Sequence, residues 1–391
     1  METRTPLIRV VHIITRTNIG GPSVIVGSLL EDHTHPDIEQ ALVRGSTSID
    51  EGDYFAHSAL ASKIVTIPPL GRRVRPWDDL RALVALVRYL RRTKPDVVHT
   101  HMAKAGALGR LAAFLARVPV RVHTYHGHLL SGYFSPVVTR LIVLVERALR
   151  MITTHVVVVG HQVRRDLIAE RVLDEKCSRV INPGIAEFES RSSAAARQAL
   201  GLPGEGVIVA FVGRFAQIKR PDRFVHIAHQ LMSEPNVHFL MVGDGPLFVD
   251  IRNRSANLHH FHFLPWQRDL AQLLAAVDVV VMCSDNEGVP LLLIEAGMAA
   301  RPVVTTNVGS VSDVVTDGVN GLFVDREDHE ALASAVRRLT SSSDLRKQLG
   351  EAGRSRALRD FTVSIANAAH AEMYRELVTA ARVGRSARHP R

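Results

Sequence analysis

The sequence predicts an α/β protein built from two doubly wound domains, each with a parallel sheet. Short apolar runs typical of buried parallel strands alternate with amphipathic helical stretches along the chain. A stretch rich in Pro, Gly and Ser, residues 180–206, interrupts this alternation, which then begins again. The length of 391 residues fits two domains of roughly 100–200 residues each. We therefore predict two similar halves, one on each side of this linker.

The predicted elements follow the apolar runs and the helical periodicity in chain order. Strands are predicted at 8–14, 40–43, 63–67, 96–99, 120–124, 156–160, 206–212, 237–242, 260–264, 277–283 and 302–305. Helices are predicted at 22–31, 78–93, 104–116, 136–150, 221–232, 245–254, 267–275 and 290–300. We place the boundary near Gly184–Ser190, giving domains of residues 1–186 and 187–391. After Asp325 the chain is predicted to be helical, as a tail that stays with the second domain or packs back on the first.

Composition and segment lengths indicate an ordinary soluble protein. Apolar residues make up 46% of the chain and charged residues 22%. The two cysteines, Cys177 and Cys283, are too few and too far apart for a disulfide framework or a zinc site, which favours a reducing cytoplasm. The N-terminal apolar stretch is too short for a signal peptide. No run of about 18 apolar residues is present to span a membrane.

The net charge of +9 lies entirely in the first half of the chain. Residues 1–186 contain 25 Lys and Arg against 16 Asp and Glu, whereas residues 187–391 contain 23 of each. We do not expect nucleic acid as a partner, because the chain has no recognition motif and few aromatic residues. Anionic lipid headgroups or a phosphorylated acceptor fit better. An arginine-rich proteome would explain the same surplus without any partner.

The clearest chemical signal is a pair of glutamates, Glu287 and Glu295, with seven residues between them. The apolar run before them is typical of a buried strand. Pro290 suits the first turn of a helix, because its missing N–H would be unpaired there. Glu287 would then lie on a loop at the carboxyl end of a strand, where ligands bind in open α/β sheets. Two acids that flank the anion-binding start of a helix suit a sugar nucleotide.

Two other predicted βα turns carry ligand-binding signals. Arg214 and Lys219 share the loop after strand 206–212, where two cations would neutralise a diphosphate leaving group. Solvated loop charge is the alternative. Gly20 and Gly21 follow the first strand and would let the backbone approach a ligand closely. The pattern G-x-G-x-x-G is absent, and a tight turn without a ligand explains the two glycines equally well.

Histidines cluster at the ends of two predicted strands, at His99, His101, His123, His126 and His128. Imidazole is a common metal ligand, but no carboxylate or cysteine stands nearby in the sequence, so we assign no metal site. We expect His126 to hydrogen-bond a sugar hydroxyl, with packing at the strand end as the alternative. The basic amphipathic segments 78–94 and 136–150 are typical of core-packing helices, and interfacial membrane binding is the alternative.

Together these motifs resemble the retaining glycosyltransferases of family 4. NEGVPLLLIEA resembles that family's Glu-x7-Glu motif, and VGRF followed by a lysine resembles its diphosphate-binding pair. The early double glycine, the T-x-H of TYHG, VGDGPL and DGVNGLFV fit the same pattern. THMAKAGALGRLAA and TYHGHLLSGYFSP resemble bacterial enzymes that build surface glycans or exopolysaccharides. The resemblance covers almost the whole chain and implies the GT-B fold, in which two Rossmann-like domains face a central cleft.

The resemblance also implies roles for individual residues. Glu295 would bind the ribose hydroxyls, Glu287 would hold and orient the transferred sugar, and Arg214 and Lys219 would bind the diphosphate. His126 completes the predicted catalytic group. The remaining predicted substrate contacts are Gly20, Gly21, Phe263, Leu264, Gly288, Val289, Pro290 and Leu291. Such enzymes are thought to use front-face displacement with the leaving phosphate as base, and the absence of an Asp-x-Asp motif agrees with catalysis that needs no protein-held metal.

Three residues depart from the family pattern. Val289 and Pro290 replace the Phe–Gly that commonly follows the first glutamate, and Ala300 stands where glycine often ends the next helix. Pro290 removes one backbone donor near the phosphates. These departures bear on the phosphate contacts and on donor preference, and they leave the class unchanged.

We therefore predict a hexosyltransferase that uses a nucleotide diphosphate sugar, above all a UDP-sugar, and a glycan or polyprenyl-linked acceptor in polysaccharide biosynthesis. We expect no cofactor besides the donor, no metal requirement, and domain closure that excludes water. The enzyme would be cytoplasmic and peripheral on the inner face of the plasma membrane, through the basic first domain. The alternatives are a transferase for a soluble small-molecule acceptor, a sugar-nucleotide epimerase of the same fold, and a non-catalytic nucleotide-sugar-binding relative.

Overall fold

The computed structural model describes residues 6–18, 20–47, 52–56, 58–127, 135–189 and 191–386. The chain divides into two compact units, which we call the first and the second unit. The first consists of Met1–Gly184 with Val363–Arg391, and the second of Ile185–Thr362. The boundary between them lies two residues before the predicted one.

The first unit is a seven-stranded parallel sheet with helices between the strands. Its strands are β1 (Ile8–Ile14), β2 (Ile38–Arg44), β3 (Ile64–Thr66), β4 (Val97–His101), β5 (Val120–Tyr125), β6 (His155–Val158) and β7 (Ser178–Val180). They lie in the order β3-β2-β1-β4-β5-β6-β7. Its helices before residue 185 are α1 (Gly21–Leu30), α2 (Pro76–Thr93), α3 (Ala103–Leu115), α4 (Pro136–Arg150) and α5 (His161–Ala169).

The second unit is a six-stranded parallel sheet built in the same way. Its strands are β8 (Val207–Val212), β9 (Val237–Val242), β10 (Phe261–Leu264), β11 (Val279–Met282), β12 (Val303–Thr306) and β13 (Leu322–Val324), in the order β10-β9-β8-β11-β12-β13. Its helices are α6 (Ser193–Ala199), α7 (Pro221–Gln230), α8 (Phe248–Arg254), α9 (Leu270–Ala276), α10 (Leu291–Met298), α11 (Val311–Val314), α12 (His329–Ser341) and α13 (Ser343–Asp360). Two doubly wound parallel sheets confirm the predicted fold class.

The last helix, α14 (Val363–Ser386), belongs to the first unit. Its Met373 and Tyr374 are fully buried and pack with Val10 and Val97 on one face of the first sheet. The other face is covered by α2 and α3, from which Leu86 and other apolar side chains enter the core. Because helices cover both faces, the central strands β1 and β4 are buried along almost their whole length and their burial does not alternate.

The sheet order locates the place where each unit can bind a ligand. In both sheets the chain first adds strands on one side of the starting strand and then crosses to its other side. The crossing point lies between β1 and β4 in the first unit and between β8 and β11 in the second. Crevices outside the carboxyl ends of the strands at such switch points are the usual ligand sites of open α/β sheets.

The helix that carries Glu295 is shorter than predicted. It spans Leu291–Met298, beginning one residue later and ending two residues earlier. Ala300 has a φ of 54°, in the left-handed region that favours glycine. The N–H of Ala300 bonds to the carbonyl of Gly297, and that of Arg301 bonds to the carbonyl of Ala296, as in a glycine-type helix end. The alanine therefore keeps the helix ending at a cost in backbone strain.

Five of the strands and helices named above were not predicted from the sequence, among them the four-residue helix α11. Strands β7 and β13 have three residues each, which is too short for a periodic signal. Helix α5 is largely polar, with only Val163 and Leu167 buried. Helix α6 lies inside the predicted linker, where Ser192 caps its N-terminus by accepting from the N–H of Ala195. In the described part of the chain, every helix is too short or too polar to cross a membrane.

Candidate active site

The two loops that flank the switch point of the second unit carry three of the four predicted catalytic residues. Arg214 and Lys219 lie on the loop after β8, and Glu287 lies on the loop after β11. The structure joins the two loops by an ion pair, with 2.5 Å between Lys219 Nζ and Glu287 Oε1. Ser284 Oγ donates to the same carboxylate oxygen at 2.5 Å. Glu287 is thus held in one position by two donors.

A second ion pair joins α7 to the loop after β11. Arg223 on α7 is 2% exposed, and its Nη1 lies 2.6 Å from Asp285 Oδ1 and donates to the carbonyl of Cys283 at 2.8 Å. The N–H of Asp285 donates to the carbonyl of Ile218 on the loop after β8. Sequence reasoning missed Arg223 and Asp285, although an arginine four residues after Lys219 and an acid two residues before Glu287 were available signals.

Arg214 is the exposed cation of the site. The next residue, Phe215, is fully buried and stacks on Phe248 with 5.8 Å between ring centroids, which holds the loop down. A Cβ at Gly243, on the loop after β9, would lie 2.1 Å from the carbonyl oxygen of Gly213, so these two loops pack with no room for a side chain. Arg214 therefore extends from a rigid loop, and Lys219 reaches Glu287 from the other end of that loop.

Glu295 lies in α10, beyond an open helix N-terminus. Pro290 is the N-cap rather than a residue of the first turn, and no side chain caps the helix among the described residues. The helix N-terminus thus keeps N–H groups that suit an anion. Glu295 is partly exposed, yet most of its surroundings are protein, and this burial raises the pKa of its carboxyl to about 7.

The other predicted contacts on this loop are largely buried backbone neighbours of Glu287. Val289 is 8% exposed, and the carbonyl of Gly288 accepts from the N–H of Ser310. Phe263 and Leu264 end the edge strand β10. The Phe263 ring packs against Phe248, and the carbonyl of Leu264 accepts from the N–H of Gly243. Contact of this backbone with a base, and of Leu291 with a phosphate, stay predictions.

The remaining predicted residues lie in the first unit. Gly20 is the N-cap of α1, and its carbonyl accepts from the N–H groups of Ser23 and Val24. Gly21 begins the helix, and Ile19 lies outside the described residues. Gly20 and Gly21 lie in the βα turn after β1, as predicted, and this turn is at the switch point of the first sheet.

His126 immediately follows β5, is partly buried, and contacts a group of buried histidines that is larger than the sequence indicated. His99 and His101 both lie in β4, and their ring centroids are 4.4 Å apart. His12 on β1, which no sequence motif indicated, also belongs to this group and stacks on His101 with 5.3 Å between ring centroids. His123 forms a separate hydrogen bond, between its Nδ1 and Thr100 Oγ1. His128 lies outside the described residues.

Three of these histidines come close enough to hold a metal ion. One ligand atom from each of His12, His99 and His101 lies within 4.8 Å of the other two. However, all six of their ring nitrogens already have hydrogen-bond partners: each other, Gln40, Thr124, His126 and Tyr374. These hydrogen bonds account for the contacts within the cluster, and the absence of a metal site stays a prediction.

Family models match most of the chain. Residues 192–356 match the model described as "Glycosyl transferases group 1", and residues 20–184 match the one described as "Glycosyl transferase 4-like domain". The switch-point loops with Arg214, Lys219 and Glu287 lie within the first match.

Similar proteins carry the same class of name. The chain is 31% identical over 315 residues to D-inositol 3-phosphate glycosyltransferase of Saccharomonospora viridis, covering 73% of this chain and 71% of that one. It is 29% identical over 291 residues to UDP-Gal:alpha-D-GlcNAc-diphosphoundecaprenol alpha-1,3-galactosyltransferase of Escherichia coli, covering 71% and 75%. The crystal structure of Anabaena HepE in complex with UDP-glucose superimposes with a TM-score of 0.79 at 19% identity, covering 95% of this chain and all of that one.

These matches define the class of protein as a GT-B glycosyltransferase. The chain belongs to the glycosyltransferases of group 1, with a family 4-like first domain, and resembles bacterial enzymes that build surface polysaccharides. The resemblance inferred from the sequence motifs is confirmed.

The loop that carries Glu287 depends on a glycine from the neighbouring loop, and this gives a first prediction. Gly309 has a φ of 52°, and a Cβ there would lie 1.8 Å from the carbonyl oxygen of Glu287. We expect Gly309→Ala to displace Glu287 and lower kcat/KM for sugar transfer by about 100-fold, because small displacements of positioning groups have effects of this size. Steady-state kinetics would measure it.

Gly318→Ala is the matched control for this variant. Gly318 also has a left-handed φ, of 70°, so its replacement brings similar backbone strain. Among the described residues, apart from Gly318 and its two chain neighbours, no atom lies within 4 Å of the added Cβ. We expect a loss of stability in both variants and a loss of activity only at Gly309. An equal fall in kcat/KM for the two variants would show that Gly309 does not act through Glu287.

Proposed function

We propose that this glycosyltransferase moves a hexosyl group from a UDP-sugar to a glycan or polyprenyl-linked acceptor in polysaccharide biosynthesis, with retention of anomeric configuration. The observation that carries the proposal is the joined pair Lys219 and Glu287 at the switch point, with Arg214 on the same loop as Lys219. The name of the Escherichia coli relative gives UDP-Gal as donor and a diphosphoundecaprenol-linked sugar as acceptor. That pairing supports a UDP-sugar and a lipid-linked acceptor for this chain.

Arg214 and Lys219 supply the charge that a leaving diphosphate requires. Arg214 is exposed and offers a fork of N–H donors that matches two phosphate oxygens. An ammonium has three N–H donors, so Lys219 keeps two for phosphate while one bonds to Glu287. Two protein cations at this place can do the work of a divalent ion, and we propose that transfer needs no protein-held metal.

The two glutamates suit the two ends of the donor. Glu295, inside α10, would accept hydrogen bonds from the ribose hydroxyls, and Glu287 would accept them from hydroxyls of the transferred sugar. The open N-terminus of α10, which follows Gly288, Val289 and Pro290, offers N–H groups to the phosphates between these ends.

Glu287 is poorly placed to act as a nucleophile, because Lys219 and Ser284 both donate to its Oε1 and lower its reactivity. Retention would then follow from front-face displacement. The bond from the anomeric carbon to the diphosphate oxygen breaks while a bond to the acceptor oxygen forms on the same face. The acceptor hydroxyl proton passes to a phosphate oxygen, and UDP leaves with it.

The experiment is to mix the protein with UDP-, GDP- and ADP-sugars, with and without lipid-linked acceptors, and to detect products by mass spectrometry. We expect UDP release from one UDP-sugar, activity that survives EDTA, and a product whose anomeric proton coupling matches that of the donor. Release of GDP or ADP alone would exclude the UDP-sugar. An epimer formed without acceptor would indicate an epimerase, and no turnover with any donor would contradict the proposal.

We further propose that the first unit docks on an anionic membrane surface through the outer face of α4. Its inner face buries only Val143 and Glu146. The outer face exposes a stripe at helical spacing, with Val137 75%, Leu141 61% and Leu144 59% exposed. Exposed apolar residues beside a basic helical face are typical of interfacial membrane binding.

Positive charge accompanies this apolar stripe. Arg140, Arg147 and Arg150 lie on α4, and the 1–186 segment carries the whole +9 net charge of the chain. Two of these arginines form ion pairs, Arg147 with Glu170 and Arg150 with Asp174. Both pairs are exposed to solvent, where ion pairs contribute little free energy. Anionic headgroups can therefore compete for them.

Co-sedimentation with vesicles tests this docking. We expect the wild type to bind vesicles that contain phosphatidylglycerol, to bind neutral vesicles less, and to dissociate in high salt. The double variant Leu141→Ser/Leu144→Ser should bind about tenfold less, because it removes exposed apolar area from the interface. The control Val249→Ser removes an exposed valine, 69% accessible, from the second unit. Equal binding by the double variant and the control would rule out docking through α4.

A further inference from the structure

A line of hydrogen bonds crosses four neighbouring strands of the first sheet and ends at His126. Gln40 lies on β2, His12 on β1 and His101 on β4, and His126 follows β5, in the order in which these strands lie side by side. Gln40 Oε1 is 2.8 Å from His12 Nε2, and His12 Nδ1 is 3.0 Å from His101 Nε2. His101 Nδ1 is 3.1 Å from His126 Nε2. We call these four residues the histidine relay.

The outer end of the relay is unpaired. The Nδ1 of His126 is buried and, within the described part of the chain, has no hydrogen-bond partner. A buried polar atom without a partner costs free energy and calls for an explanation. His126 stands directly after β5, at the carboxyl edge of the sheet, where open α/β sheets bind their ligands.

The inner end of the relay sets its direction. Gln40 Nε2 donates to the backbone carbonyl of Leu29 at 2.5 Å, and a carbonyl can only accept. The amide is therefore oriented with Nε2 toward Leu29 and Oε1 toward His12. An amide oxygen can only accept, so His12 carries its proton on Nε2.

The three histidine rings of the relay are neutral, and this fixes the direction of each hydrogen bond between them. Burial lowers the pKa of His12 to about 4 and that of His126 to about 3, and it holds the pKa of His101 well below its ordinary value. The neighbours that act on these rings electrostatically are other histidines, His99, His123 and His370, which burial also keeps neutral. A neutral imidazole has one N–H and one acceptor nitrogen.

Each ring therefore fixes the next. His12, protonated on Nε2, accepts at Nδ1, so His101 must donate from Nε2. His101 then accepts at Nδ1, so His126 must donate from Nε2. The remaining nitrogen of His126, the unpaired Nδ1, is an acceptor.

We propose that Gln40, His12 and His101 are positioning residues that hold His126 in the Nε2–H tautomer, so that its free Nδ1 accepts a hydrogen bond from a hydroxyl of the bound sugar. The part that concerns the sugar rests on the proposed function, whereas the tautomer does not. The relay makes His126 selective: it favours a substituent that donates a hydrogen bond and disfavours one that only accepts. Donor specificity would thus begin at Gln40, which is three hydrogen bonds away from His126 and four from the sugar.

The tautomer is tested first, without turnover. Nitrogen NMR of protein with 15N-labelled histidine, assigned with His126→Asn, distinguishes a protonated from an unprotonated ring nitrogen. In the ligand-free wild type we expect His126 to show a protonated Nε2 and an unprotonated Nδ1. A protonated Nδ1 on His126 would overturn the relay, and this measurement requires no variant of Gln40.

Two substitutions at Gln40 then distinguish the effect of its hydrogen bond to His12 from the effect of its side-chain packing. Gln40→Met keeps the approximate size and removes the acceptor, so we expect His12, His101 and His126 to lose their single tautomer. Gln40→Glu is the matched control, because a buried, protonated carboxyl can donate to the Leu29 carbonyl and accept from His12 as glutamine does. We expect it to keep the wild-type tautomer. Thermal unfolding of each variant checks that it is folded.

Fluorinated donors test the hydroxyl. In a panel of UDP-sugars with one hydroxyl replaced by fluorine, which accepts weakly and cannot donate, we expect one position to lower the wild-type kcat/KM by about 10- to 100-fold. Gln40→Met should reduce that penalty, and Gln40→Glu should retain it. A purely structural role would lower kcat/KM for all donors equally and leave the penalty unchanged, which would overturn the proposal. Absence of turnover with every donor would reject the proposed function, while the NMR result would still decide the relay.

Discussion

The Glu287→Gln variant is expected to lose at least about 100-fold in kcat/KM for sugar transfer while binding UDP almost as well as the wild type. Glutamine keeps the shape and one acceptor oxygen but removes the charge that pairs with Lys219. Both the grip on the sugar hydroxyls and the position of the Lys219 ammonium change, and misplacement at a reacting centre has effects of this size. Steady-state kinetics and calorimetric UDP titration measure the two quantities.

Glutamine is a sharper replacement than alanine at this position. The loop position of Glu287 alone would predict little loss of stability for Glu287→Ala. The structure shows that Glu287 accepts from both Lys219 and Ser284, so alanine would leave both without this acceptor and cost about 1–3 kcal/mol. The control Glu234→Gln removes an exposed carboxylate from the same unit. Transfer at the wild-type rate by Glu287→Gln would refute the role of Glu287.

The Glu295→Gln variant is expected to weaken UDP binding and yet to be more stable than the wild type at pH 8. Burial raises the pKa of Glu295 from 4.5 to about 7, so the folded protein retains a proton that the unfolded chain has lost. The wild type therefore loses stability as the pH rises from about 4.5 through 7, and above 7 the cost of the buried charge is constant. We expect the variant to gain about 3 kcal/mol at pH 8 and less than about 1 kcal/mol at pH 5.

Binding of UDP should favour the ionised form of Glu295, whereas the stability of the free protein favours the neutral form. A ribose diol donates two hydrogen bonds, which the ionised carboxylate can accept with both oxygens and the protonated acid or the amide cannot. Wild-type UDP affinity should therefore fall as the pH drops below about 7, with proton release on binding at neutral pH. The variant should bind about 10- to 100-fold more weakly at pH 8 and lose the pH dependence. Urea unfolding and calorimetry in two buffers measure both effects, and a pH-independent stability difference would contradict the buried charge.

Much of the fold was predictable from local pattern. Helix α4 begins and ends where its periodicity predicts, and β1 and β9 match their predicted bounds. Buried parallel strands are continuous apolar runs, and covered helices repeat every 3.6 residues, so both leave a signal in a short window. The three-residue strand β13 and the polar helix α5 leave none, and they were missed.

The candidate site was predictable to the extent that its residues lie on βα loops of one sheet. Arg214, Lys219 and Glu287 follow β8 and β11, and the carboxyl ends of parallel strands share one edge. The sequence did not show that Lys219 would pair with Glu287, because that contact depends on β8 and β11 being neighbours. The supporting pair Arg223 and Asp285 depends on the same neighbourhood.

The sequence by itself determined the α/β class, the two-domain organisation and the type of residue available at each loop. Only the tertiary structure decided which loops meet, that the helix α14 completes the first unit, and that Gln40, His12 and His101 on neighbouring strands form one line of hydrogen bonds with His126. The physical reason is that strand order in a doubly wound sheet differs from chain order. His12 and His101, 89 residues apart, become hydrogen-bonded neighbours, and no local pattern records such a distance.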